Sequence, residues 1–273
     1  MNNSDSLTER QLREIEYHKE YAKEISEMSL EASFYEVVFS KKRRWWNGYW
    51  AMYSYLRSCP LKEKKILVVG CGFGKDALRI AKLGAEVYAF DISPESLDIA
   101  KKYSIQQNLK IDFREMTAEK LHYDSDFFDY ILANDILHHI DIPVAIEEII
   151  RVAKKDAIFL ANEIYSHSIT NIIRYSKIVD KKLYPAMKSF VYQREKPYIT
   201  KDEKKMTEKD IQEVSKRFKK VLFKKYYNFF ITRIFPDKFH FLNMLDKILL
   251  TLFYPWNHIL AGRIFFAGTI DKE

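Results

Sequence analysis

Between Ile66 and Asp91 the hydrophobic pattern changes period twice. Ile66, Leu67, Val68 and Val69 form an unbroken apolar run rich in branched residues, as in a strand covered on both faces. Gly70, Gly72 and Gly74 follow at once, so the chain can turn tightly there and bring bare backbone against a ligand. From Lys75 to Leu83 the apolar residues Ala77, Leu78, Ile80, Ala81 and Leu83 take helical spacing, and Gly84 ends the helix. Val87 to Phe90 then reads as a second strand that delivers Asp91 to the same sheet edge. The whole stretch predicts a nucleoside-binding crevice at the carboxyl edge of a parallel sheet.

The pattern continues with the same alternation. Ser93 is a helix cap followed by Pro94 and Glu95, the expected chemistry of a helix start. Phe127 to Asp135 reads as a fourth strand, Ile142 to Val152 as an amphipathic helix and Ile158 to Ala161 as a fifth strand. Thr207 caps a helix with acids in its first turn. Val221 to Phe230 predicts the sixth strand and Ile264 to Thr269 the seventh.

The glycine spacing separates two classes of ligand. A dinucleotide fingerprint, G-x-G-x-x-G/A, requires a small residue where Lys75 stands, whereas the glycines here run Gly70-x-Gly72-x-Gly74. With its preceding strand, its helix and the acid that ends the next strand, this motif resembles that of the class I S-adenosylmethionine-dependent methyltransferases. The resemblance covers about residues 60 to 165. It implies an α/β fold with a doubly wound, seven-stranded, mainly parallel sheet of Rossmann-like type whose seventh strand is antiparallel, carrying N-terminal helices and a C-terminal helical cap insertion.

The resemblance also assigns roles, with S-adenosylmethionine as the cofactor and no metal. Gly70, Cys71, Gly72 and Gly74 would admit the cofactor, Asp91 would hold the ribose, and Ile92 and Ala118 would flank the adenine. Thr117 stands where the family often carries an Asp that meets the adenine amino group, so a hydroxyl or the Ala118 backbone takes over that contact. Asn134 would face the methionine part, and the Leu137-His138-His139 run follows it. His138 and His139 are candidate general bases, because an imidazole near neutral pKa can take a proton from an acceptor hydroxyl. Loop packing of both rings, with alignment alone driving the transfer, is the other reading. Ala153-Lys154-Lys155-Asp156 replaces the family's Pro-Gly-Gly, at a turn remote from the chemistry.

Composition adds an asymmetry. Residues 166–273 hold 22 Lys and Arg against 11 Asp and Glu, while the rest of the chain holds 23 against 27. The basic part points to an anionic partner, or to lysines on solvated helix faces. The cluster from Lys41 to Trp50 joins four cations to four aromatics, suited to stacking on bases, to closing an acceptor pocket or to packing a helix on the sheet. Tyr17-His18-Lys19-Glu20-Tyr21 resembles the start of relatives in which an N-terminal helix folds over the cofactor. Ile248 to Gly262 is an uncharged run of fifteen residues, too short to span a membrane but suited to a hydrophobic lid, a dimer contact or an interfacial helix.

Three regions follow: an N-terminal helical segment over the cofactor site (1–58), a cofactor-binding core (59–165), and a region with substrate cap, aromatic insertion and last strands (166–273). Tyr165, His167, Tyr175, Tyr184 and Tyr192 give the cap an aromatic and polar surface. A polar N-terminus and only two cysteines, Cys59 and Cys71, point to the cytoplasm. The expected activity is methylation of a small-molecule acceptor, lipidic or anionic, with peripheral membrane contact as a further expectation. Nucleic-acid methylation is a weaker alternative, since Asn134-Asp135-Ile136-Leu137 stands where base-amine enzymes carry Asn/Asp-Pro-Pro-Tyr/Phe. A non-catalytic partner that binds the cofactor is the third reading.

Overall fold

A computed structural model of the chain describes residues 7–25, 32–174, 176–177, 181, 204–228 and 239–272. Its centre is a seven-stranded sheet: β1 (Lys65–Val69), β2 (Glu86–Asp91), β3 (Ile111–Glu115), β4 (Phe128–Asn134), β5 (Ala153–Ile164), β6 (Phe218–Tyr227) and β7 (Arg263–Ile270). Their order across the sheet is β3-β2-β1-β4-β5-β7-β6. All neighbours are parallel except β7, which runs antiparallel to both β5 and β6. The order reverses between β1 and β4, and in open α/β sheets such a switch point opens a crevice at the carboxyl ends of the strands.

The central strands are apolar throughout because both faces are covered. Leu67, Val69, Ile131, Ala133, Phe159 and Ala161 pack on one side of the sheet. Ile66, Val68, Leu132, Leu160, Phe265 and Ala267 pack on the other. The first side is closed by α6 (Ile142–Val152), through Ala145, Ile146 and Ile149, and by α8 (Glu208–Ser215), through Ile211 and Val214. Against the second lie α3 (Gly48–Ser58) and α4 (Lys75–Ala81). Two further helices, α1 (Glu9–Ile25) and α5 (Pro94–Gln106), pack together, with α2 (Glu36–Phe39) against α3.

Most predicted elements stand where the pattern puts them. The Ile142–Val152 helix has the predicted bounds, capped by Asp141, which accepts from the Val144 N–H. Thr207 and Asp210 form a reciprocal capping box on α8. The fifth strand is longer than Ile158–Ala161: with no Pro-Gly break after α6, the chain passes directly into extended backbone at Ala153. The sixth strand lies earlier than Val221–Phe230, ending where Asn228 turns left-handed (φ 55°) and the Gly262 N–H meets Tyr227 O. Phe229, Phe230 and the start of the predicted insertion, 231–238, lie outside the described residues, as do Tyr175, Tyr184 and Tyr192.

The basic-aromatic segment packs a helix. Trp50 is buried, and the Arg43 and Arg44 guanidinium groups stack on its ring at 4.6 and 4.9 Å. Arg43 also donates to Val37 O and Trp50 O. Trp50 and its two cations thus serve the fold. The uncharged Ile248–Gly262 run divides into the end of α9 (His240–Leu252), an aromatic turn and the short α10 (Asn257–Leu260). Among the described residues no helix is long and apolar enough to cross a membrane.

At the sheet's amino edge, Asp129 joins three strands. Its carboxylate accepts from the Lys65 N–H at 3.0 Å and from Lys154 at 3.0 Å, with Lys64 at 3.8 Å. Burial opposes its ionisation, but these donors outweigh it and hold its pKa below the usual carboxylate range. A depressed folded-state pKa stabilises the fold above the unfolded pKa, and that stability is lost as pH falls through the folded value. Asp129→Asn is therefore expected to cost about 1 to 2 kcal/mol in urea titrations at neutral pH. The deficit should shrink as the titrations are repeated below about pH 4.

Candidate active site

After Val69 the chain makes three left-handed turns, at Gly70 (φ 58°), Gly72 (φ 49°) and Gly74 (φ 74°). Each glycine serves a different neighbour. A Cβ on Gly70 would lie 2.4 Å from the Ile136 side chain, and one on Gly74 would lie 2.7 Å from the Ala100 Cβ. A Cβ on Gly72 would meet nothing within 4 Å. Gly70 and Gly74 thus let the loop nest against β4 and α5, while Gly72 turns bare backbone to open space. Cys71 is half-buried; burial, helped by the Asp91 charge, pushes its thiol well above the ordinary range, so it fills space as a neutral group.

Asp91 ties this loop to β2. One carboxylate oxygen accepts the Gly72 N–H at 2.7 Å, and the other accepts the Ser93 N–H at 3.0 Å. Above it opens a cleft of about 670 Å³, counting its open mouth. Gly70 and Gly72 form the floor; Phe90, Asp91, Ile92, Met116, Thr117 and Ala118 form one wall; Asp135, Ile136, His139 and Ile140 form the other. Gln11, Glu14 and His18 of α1 complete the enclosure. These three share a helix face through their spacing of three and four residues; His18 lies in the segment expected over the cofactor, while Gln11 and Glu14 are additions of the fold, signalled only by that spacing. The roof is anchored by Arg10 to His138 O (2.8 Å), Glu14 to His139 Nδ1 (3.2 Å) and Gln11 to Glu119 (3.2 Å).

Of the predicted site residues, Gly70, Gly72, Asp91, Ile92, Thr117, Ala118 and His139 line this cleft. Cys71, Gly74, Asn134 and His138 stand behind the lining. The Asn134 amide donates to Asp76 at 2.8 Å and accepts from Asn162 at 2.7 Å. His138 is buried, with Nδ1 2.8 Å from Glu163 Oε2. Glu163, fully buried, takes the Ile136 and Leu137 N–H groups on its other oxygen, both at 2.9 Å. Those two bonds leave Oε2 to accept the Nδ1 proton, which fixes the imidazole tautomer.

Asp135 occupies the junction of two spaces. Held left-handed (φ 55°), it lines the cleft and also a polar recess of about 690 Å³ with Asn47, Tyr49, Trp50, Asn228 and Arg263. Arg263 Nη2 bonds both Asp135 oxygens at 2.8 Å, which pins β7 to the end of β4. Behind the recess, Asp76 accepts the Tyr49 and Tyr53 hydroxyls at 2.5 and 2.6 Å. Burial, reinforced by the Asp76 charge, pushes both phenols well above their ordinary range, so they remain donors.

The cleft fits the expected cofactor. Its lining contains Glu14, Asp91, Glu119 and Asp135 but neither Lys nor Arg. That lining gives no side-chain countercharge to a pyrophosphate and favours a cationic, phosphate-free ligand such as a sulfonium nucleoside. Asp91 would supply the ribose acceptor, and Gly72 leaves room for close backbone approach.

Substitutions should separate the glycines. Gly74→Ala is expected to lower stability by about 2 to 4 kcal/mol, through a left-handed Cβ packed against Ala100. Gly72→Ala should cost only about 1 to 2 kcal/mol yet weaken S-adenosylhomocysteine binding far more than its fold. Asp91→Asn should weaken that binding by roughly 2 to 3 kcal/mol. Thermal melts and calorimetric titration read the two effects separately.

Known proteins agree with this geometry. Residues 67–161 match the methyltransferase domain family. The ubiquinone biosynthesis O-methyltransferase of Methylocella silvestris is 38% identical over 81 residues, 30% of this chain and 32% of that protein. Its counterpart in Pelagibacter ubique is 37% identical over 100 residues, 36% of this chain and 41% of that protein. The chain thus spans well under half the length of these curated relatives. A solved S-adenosylmethionine-dependent methyltransferase from Methanosarcina mazei superposes with a TM-score of 0.54 at 19% identity, covering 78% of this chain and 94% of that one. The YcgJ protein of Bacillus subtilis gives 0.54 at 16% identity, covering 82% and 98%. At these identities the structural likeness is one of fold. Residues 67–161 thus match the methyltransferase domain family, within a chain whose fold is that of the class I, Rossmann-like, S-adenosylmethionine-dependent methyltransferases.

Proposed function

We propose that the chain transfers a methyl group from S-adenosylmethionine to an oxygen of a small-molecule acceptor. The observation that carries this reading is Asp135, shared by the acidic cleft and by the polar recess beside it. A cofactor in the first and an acceptor in the second would meet at this residue. Methylation at oxygen is supported by the relatives that match the domain, which are O-methyltransferases of ubiquinone biosynthesis.

The cofactor supplies a sulfonium-activated methyl group, so the chain's work is placement and exclusion of water. Asp91 would hold the ribose hydroxyls, and Ile92, Met116 and Ala118 would bracket the adenine, with Thr117 toward its polar edge. The α1 roof sheds solvent. His139, on the cleft wall, takes the acceptor proton, and Glu14 orients its ring through Nδ1. His138 supports this ring from behind, with the two centroids 4.1 Å apart. Asn134 holds the floor of the junction through Asp76 and Asn162. Both cysteines are free thiols, which supports a reducing cytoplasm as the compartment.

The test is turnover of a panel of phenols, catechols and hydroxy acids with S-adenosylmethionine, with products assigned by mass spectrometry and NMR. An O-methyl product is the expected result, and transfer confined to nitrogen or carbon would overturn the reading. His139→Gln should lower kcat about a hundredfold and abolish the acid limb of the pH–rate profile, while S-adenosylhomocysteine affinity stays unchanged.

A further inference from the structure

Apart from Ile105 on α5, the most exposed apolar residues among those described gather on the C-terminal helices and the turn between them. Along α9, Phe241, Ile248 and Leu252 share one face and are 70%, 41% and 74% exposed. The opposite face buries Asn243, Asp246 and Leu250. The turn that follows presents Phe253, Tyr254 and Trp256, the last two 76% and 66% exposed. Beside them lies α7 (Ser168–Arg174), which packs on α10 through the Thr170 hydroxyl on Ile259 O and His167 against His258. It adds the exposed residues Ile169, Ile172 and Ile173. The short α10 contacts both α7 and α9, so the exposed apolar residues of the two longer helices lie in one region of the surface.

We propose that this face docks the protein on the surface of an anionic lipid bilayer. Charge complementarity names the occupant. Between Phe239 and Gly262 the sole acid is Asp246, which is buried, and α7 has none. The flanking charges are cations: Lys247 on α9, and Lys224 and Lys225 on the neighbouring strand β6. Shape agrees. The exposed side chains line none of the described cavities and are open to solvent, as insertion among acyl chains requires. Their identities also fit, since Trp and Tyr partition to the headgroup level while Leu, Ile and Phe reach below it. Because the helices are short, they lie in the interface and do not cross it.

The docked face adjoins the polar recess at both ends of the insertion. His240, which opens α9, lies 6.0 Å ring to ring from Trp46, next to Asn47 of the recess. Beyond α10 the chain reaches Gly262, whose N–H meets Tyr227 O, and then Arg263 of the recess wall. A docked molecule thus holds the recess close to the lipid surface. Docking itself is independent of the methyl-transfer reading.

Co-sedimentation of the full chain with vesicles tests the proposal. Phosphatidylcholine vesicles with added phosphatidylglycerol should bind the protein, phosphatidylcholine alone should bind it weakly, and binding should fall with salt. Leu252→Asp should lower partitioning roughly tenfold or more, with an unchanged melting curve and unchanged S-adenosylhomocysteine titration. Brominated acyl chains should quench tryptophan emission in the native chain, and Trp256→Phe should remove that quenching. Protein that stays in the supernatant with every vesicle composition overturns the proposal. So does adsorption that salt abolishes but Leu252→Asp leaves unchanged, which is attraction without insertion. A concentration-dependent dimer dissociated by Leu252→Asp, without vesicle binding, assigns the face to a second copy and also overturns it.

Discussion

One carboxylate without exposure to water organises the wall on which the proposed chemistry depends. Glu163 sits near the end of β5 and accepts from two successive peptide N–H groups and one imidazole, all in the turn that follows β4. Those groups would otherwise be stranded in a dry interior at about 1 to 3 kcal/mol each, so the turn has little freedom to relax. The neighbours of that turn inherit its rigidity. Asp135 is held left-handed just before it and His139 is fixed just after it, which brings a carboxylate and an imidazole to the cleft from adjacent backbone. The opposing wall uses the same device, since Asp91 accepts the Gly72 and Ser93 N–H groups. Each wall of the cleft is thus held by a carboxylate that organises backbone.

What could be read from the chain beforehand was what local chemistry determines. The bounds of α6 were legible because Asp141 caps it, Pro143 suits its first turn and its apolar spacing is unbroken. The glycine turn was legible as a turn, but the separate duties of Gly70, Gly72 and Gly74 were not. Those duties depend on Ile136 and Ala100, which only the fold brings near. The resemblance turns Asn134 toward the methionine part of the cofactor, but it does not signal the bonds of its amide to Asp76 and Asn162, which two other elements set. The bond between Arg263 and Asp135 joins residues 128 apart, and no periodicity signals a pair so distant.

Charge shows the same division between count and placement. The basic excess of the C-terminal part was plain, but its arrangement was not. Lys219, Lys220, Lys224 and Lys225 lie on β6, the edge strand of the sheet, where exposed lysines discourage pairing with another chain. The cations near Trp50 stack on its ring and bond to the backbone around it. The position of the cations at Trp50 is thus accounted for without an external polyanion.

The polar line of Tyr49, Tyr53, Asp76, Asn134 and Asn162, with Tyr53 and Asn162 fully buried and the others half-buried, restricts how this sequence can drift. Each member satisfies another, so a single replacement strands a donor or acceptor away from water, whereas concerted replacement by apolar residues of matching shape strands none. Substitutions along the line are therefore strongly epistatic, with double changes milder than the sum of their parts. Descendants of this chain should cross that barrier in paired steps. The surface of α9, whose exposed side chains share no such bonds, is free to change one residue at a time.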